Sequence, residues 1–118
     1  MASYVFAVPI LPGQEEADRQ FIAEIQGPRK ADYEATWRRF GVRAEQLWYQ
    51  LTPQGTLVIV RLELDDPAVL FGGLATSDDP YVTWFRGQIQ QIHGLDLTQP
   101  LPGPPNELVH DWRDATSG

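Results

Sequence analysis

The chain has 118 residues, 42% hydrophobic and 21% charged, with nine basic groups against sixteen acidic ones and no cysteine. That length suits one domain around one core, and the missing cysteine excludes thiol nucleophiles, iron–sulfur clusters, zinc–thiolate sites and disulfide scaffolds. A formal charge of −7 sets the chain against phosphate backbones and anionic membranes, so no nucleic-acid or membrane partner is expected.

The opening MASYVFAVPILPGQEEADR lacks a basic leader, and its apolar run carries Pro9 and Pro12 before Glu15 and Glu16. It does not read as a signal peptide. No stretch reaches the ~18 apolar residues of a membrane span. With the absence of cysteine, these features point to the cytoplasm. Residues 3–10, SYVFAVPI, are β-branched and aromatic and predict a first strand. Pro12 and Gly13 signal a turn. From Gln14 to Gln26, Ala17, Phe21 and Ile25 recur every four positions with Ile22 beside them, one stripe of an amphipathic helix. Gly27-Pro28 breaks the pattern, and residues 29–40 resume it with Tyr33, Trp37 and Phe40. The prediction is a long broken helix, or two helices at an angle, ending at Gly41.

Residues 45–51 predict a second strand, with Leu47, Tyr49 and Leu51 alternating against Trp48 and Gln50. After the turn Thr52-Pro-Gln-Gly55, residues 56–64 predict a third. There Val58, Val60, Leu62 and Leu64 form one face, and Leu57, Ile59, Arg61 and Glu63 the other. The two strands make a hairpin. Asp66-Pro67 and Asp79-Pro80 each combine an acidic cap with proline at the first helical position. The first of these helices is short, weakened by Gly72 and Gly73. The second carries Val82, Phe85, Ile89 and Ile92 and closes at Gly94. Four prolines between 100 and 105 make a stiff extended arm over 99–105. Residues 107–112, ELVHDW, predict a fourth strand, and the tail 114–118 is expected to fray.

The order is strand, broken helix, strand, strand, broken helix, strand. That predicts an α+β domain of ferredoxin-like βαββαβ type spanning 1–118, with helices on one face of an antiparallel sheet. The other face, carrying Leu57, Ile59 and Trp48, is then open to water and expects a partner, most simply a second copy. The segments SYVFAVPILPGQ, YEATWRRFGV, SDDPYVTWFRGQIQQIHGLDL and PGPPNELVHDW resemble a family of small bacterial proteins that is similar to the dimeric α/β-barrel superfamily. The resemblance covers nearly the whole chain. It implies a homodimer with a small-molecule pocket. It does not choose among cofactor-free monooxygenases of polyketides, isomerases and plain binding proteins.

The residues nominate a candidate site with no cofactor. His110 lies on the predicted fourth strand, where an imidazole suits acid–base work near neutral pH. Arg61 can hold an anionic oxygen, with Glu63 and Gln50 beside it, or form an interface ion pair with Glu63. Tyr4, Trp48 and Trp84 are candidate aromatic walls for a small aromatic ligand. His93, in the last turn of a helix, is accounted for by the helix dipole. Five of the nine cations fall between Arg29 and Arg43; they read as a solvated helix face or as an anion-recognition patch. The histidines and scattered carboxylates match no metal motif. The expected activity is binding, with or without proton transfer or oxygenation, of a small aromatic or polyketide-like compound. The alternative is a non-catalytic homodimeric interaction protein.

Overall fold

The computed structural model describes residues 2–99 and 107–115. Three strands, β1 (Ala2–Pro9), β2 (Val42–Thr52) and β3 (Gly55–Leu64), form one antiparallel sheet in the order β1-β3-β2. Four helices, α1 (Glu15–Gln26), α2 (Lys30–Arg39), α3 (Pro67–Thr76) and α4 (Pro80–His93), complete an α+β domain. The break at Gly27-Pro28 separates α1 from α2. Both Asp-Pro starts are real caps. Asp66 accepts from the Ala68 N–H, and Asp79 from those of Tyr81 and Val82. Gly94 ends α4 at φ +71°, a left-handed position that glycine takes without steric cost.

Strand parity decides what faces the helices. On β3, Val58, Val60, Leu62 and Leu64 are buried. The register sets Phe6 and Leu47 on either side of Val60, Val8 and Tyr49 beside Val58, and Tyr4 and Glu45 beside Leu62. These rows meet Phe21, Ile25, Trp37, Leu70, Val82, Phe85 and Ile92 in the core. Leu64, Val82 and Ile92 are fully buried, each burial worth roughly 1.5–3 kcal/mol. Gly73 lets α3 approach this layer closely, because a Cβ there would lie 2.5 Å from the buried Phe40 ring.

The opposite parity builds the open face. Val5, Arg61 and Gln46 form one row across it, and Ala7, Ile59 and Trp48 the next. Val5 and Trp48 are about half exposed, at 49% and 52%.

Two expectations need correction. The described sheet has three strands, not four, and residues 107–112 form no strand. Their apolar side chains lie in water, with Leu108 79% and Val109 82% exposed. Intrinsic β preference is weak without a neighbouring ladder and a face to bury, and adjacent Leu108 and Val109 give no alternation to define such a face. The predicted arm 99–105 lies outside the described residues except for Gln99, as does the tail beyond Ala115. Among the described residues no helix is long and apolar enough to cross a membrane.

Candidate functional site

Between the sheet and the helix layer lies an inner chamber of about 330 Å³. Its wall is largely apolar, with Phe6, Phe21, Trp37, Leu62 and Phe85 among its residues, and three polar side chains interrupt it: Asp18, Glu45 and His93. A second cavity, also about 330 Å³, adjoins it between α1, α2 and β2, lined by Lys30, Tyr33, Glu34 and Tyr49 among others. Asp18, Ile22, Ile25, Glu45, Leu47 and Val58 line both. They therefore form a neck between the two spaces.

Each polar group of the chamber is placed by its element. Asp18 stands at i, i+3, i+4 and i+7 with Phe21, Ile22 and Ile25, so the helical period points it inward. Its side chain is 2% exposed. The Tyr49 hydroxyl donates to Asp18 Oδ2 at 2.6 Å, and Asp18 Oδ1 lies 3.8 Å from His93 Nε2. His93, 6% exposed at the end of α4, also has Nδ1 2.8 Å from the Pro9 carbonyl oxygen. A carbonyl oxygen only accepts, so Nδ1 carries the proton and Nε2 is turned towards Asp18. Imidazole and carboxylate become an ion pair when Nε2 takes a second proton.

Glu45 shares the parity of Leu47 and Tyr49 and so faces the helices. Its Oε1 accepts from the Tyr33 hydroxyl at 2.6 Å and the Trp37 indole N–H at 3.1 Å. Glu45 is half-buried, and its remaining surface contributes to the cavity wall. Removal from water pushes its carboxyl above the usual range, against the opposing pull of the two donors. Burial, and then the neighbouring Glu45 carboxylate, also pushes the Tyr33 phenol up. Tyr49 is raised by burial and by donation to Asp18. The neck thus concentrates oxygen chemistry whose ionisation the surroundings control. Among the described residues no group of three or more His, Asp or Glu could hold a metal ion.

The residues singled out from the sequence are elsewhere, and only some are together. Trp48, Gln50, Arg61 and Glu63 share the open face. Arg61 is committed there, donating to Gln46 Oε1 at 2.8 Å and to Glu63 Oε1 at 2.5 Å. Trp48 also contributes to the wall of the outer cavity. Tyr4 lies on the other side of the sheet, half-buried against the core. Trp84 stacks on Phe21 at 5.5 Å and carries the Arg29 guanidinium 4.0 Å above its ring. His110 is exposed and outside any strand, so it does not join Trp48 and Arg61 in a common pocket. The Arg29–Arg43 cations are largely tied to acids, Arg29 to Glu24, Lys30 to Glu34 and Arg43 to Asp65.

The sequence reading missed Asp18 and Glu45 and discounted His93, although periodicity alone places the first two on inward faces. Comparison of the chain with family models, with curated proteins and with solved structures finds no match.

Proposed function

We propose that this protein binds a small, mainly apolar organic molecule in the chamber between sheet and helices, as a homodimeric ferredoxin-like protein of the dimeric α/β-barrel kind. The observation that carries the reading is a buried Asp18–His93 pair and a hydrogen-bonded Glu45 opening onto an otherwise apolar cavity. Such a cavity, with a few converging polar groups, is the usual form of a small-molecule site, about 300–1,000 Å³ in volume. The order of elements through α4 supports the fold assignment. The reaction class that suits these groups is cofactor-free proton transfer. His93 moves a proton at Nε2, the Pro9 carbonyl holds the imidazole through Nδ1, and Asp18 balances its charge. Here the acid–base role falls to His93 rather than His110.

The test is a calorimetric titration with a neutral aromatic probe that carries a hydrogen-bonding head, 2-phenylethanol. Saturable binding is expected for the wild type. Leu47→Trp, which fills the neck with a larger ring, should abolish it while circular dichroism shows the fold retained. Equal binding by both proteins would place the probe elsewhere and sink the chamber reading.

A second reading, a non-catalytic dimer, draws on the open sheet face with Trp48 and Val5 about half exposed. Both readings expect sedimentation at about twice the 13.3 kDa chain mass. A monomer at micromolar concentration would remove the dimer from either. Only the first expects the titration to saturate.

A further inference from the structure

We infer that the neck of the chamber receives the protonated nitrogen of an amine whose apolar body lies in the inner chamber. This rests on the chamber reading above and names the class of ligand within it.

A count of donors and acceptors leads there. Both hydrogen bonds received by Glu45 fall on Oε1, from Tyr33 and Trp37. Among the described residues no donor reaches Oε2. Asp18 Oδ2 is taken by Tyr49, while Oδ1 faces His93 at 3.8 Å, beyond hydrogen-bond length. In neutral His93 the Nδ1 proton is engaged by Pro9, and Nε2 is another acceptor. The polar groups of the chamber therefore present unused acceptors. The donors that come near them, the Tyr33 and Tyr49 hydroxyls and the Trp37 N–H, are already spent on carboxylates. Among the described residues, no lysine or arginine lines the inner chamber. The outer cavity has Lys30, which pairs with Glu34 at 3.4 Å.

A carboxylate or phosphate ligand would meet two carboxylates and, among the described lining residues, no free cation. A hydrocarbon that displaced water from the neck would leave the acceptor oxygens without partners, which is costly. An ammonium group supplies three N–H donors and the compensating charge. The aromatic faces of Phe21, Trp37 and Phe85 beyond the neck are compatible with an alkyl or aryl body and attract a nearby cation. The net charge of −7 favours the approach of a cation through solution. Geometry orders the ligand: nitrogen at the boundary of the two cavities, carbon inward.

The experiment compares three molecules with one body and three heads: 2-phenylethylamine, 2-phenylethanol and phenylacetate, titrated by calorimetry at neutral pH and low salt. The amine should bind about tenfold or more tighter than the alcohol, the scale of a charge-assisted hydrogen bond. The acid should bind weaker than the alcohol. Glu45→Gln keeps an acceptor for Tyr33 and Trp37 but removes the charge, so it should bring amine and alcohol to similar affinity. Asp18→Asn provides a second, independent reduction of the preference. If the alcohol binds and the amine gains nothing, or the acid binds best, the amine assignment fails while the chamber reading stands. If none of the three binds, both fail together.

Discussion

Replacing His93 by alanine should lower the stability of the fold by about 1–3 kcal/mol, the cost of losing the hydrogen bond to the Pro9 carbonyl and the packing of a ring that is 6% exposed. The imidazole joins two elements that are distant in sequence. Its Nδ1–H is donated to the last carbonyl of β1, and its Nε2 faces the Asp18 carboxylate on α1. Without the ring, Asp18 keeps the Tyr49 hydroxyl and loses the neighbour that faces its Oδ1. Urea unfolding should show the midpoint shifting strongly with little change in slope. The double variant with Asp18→Asn separates the pair from general packing. Asparagine retains an acceptor for Tyr49 but no charge, so the double variant should be less destabilised than the sum of the two singles, by about 1–3 kcal/mol. Strict additivity would mean that the two side chains do not interact and that their alignment has no energetic content.

Glu45→Gln should move stability in the opposite direction. Burial raises the Glu45 carboxyl, so the folded state prefers the protonated form more than the unfolded chain does. The sign follows: this group's contribution is fully present below its unfolded value, about 4.3, and is lost as pH rises through the higher folded value. At neutral pH the native carboxylate is therefore a burden on the fold. Glutamine accepts the same two hydrogen bonds without that burden. The variant should unfold later at pH 7–8, with a gain of about 0.5–2 kcal/mol, the usual range for a single stabilising substitution. The advantage should shrink steadily towards pH 4. A variant less stable than wild type at pH 8 would show that the charge is compensated within the protein. A carboxylate that weakens its own fold is the expected signature of a group kept for binding or proton transfer.

Much of the scaffold was legible because its signals are local and periodic. The alternation of Val58, Val60, Leu62 and Leu64, the Asp-Pro starts at 66 and 79 and the break at Gly27-Pro28 all mark real features. The segment ELVHDW forms no strand because a strand is a property of a pair. The candidate site was legible in principle. Asp18 sits among Phe21, Ile22 and Ile25 on the inward stripe of α1, and Glu45 precedes Leu47 and Tyr49 in strict alternation. A charge on an apolar face is the informative exception; Trp48, Trp84 and the Arg61–Glu63 pair are more conspicuous in the sequence and do not line the inner chamber. His93 illustrates a different limit. Its place in the last turn satisfies the helix dipole, and only the tertiary return of β1 brings Pro9 and Asp18 to its two nitrogens.

The register of the sheet also bears on the order in which the chamber is assembled. The β2–β3 hairpin closes through a turn of a few residues, so its ladder belongs to the fast, local part of folding. The β1–β3 ladder joins strands separated by α1, α2 and all of β2, and its loop-closure entropy must be met before any of its contacts form. Phe6 and Val8 of β1, and the His93 ring that leans on Pro9, therefore take their places last. The chamber is the seam between an early hairpin and a late strand. It takes shape only when the more non-local of the two strand ladders is complete, so that competence to hold a ligand reports on the whole fold rather than on any one of its pieces.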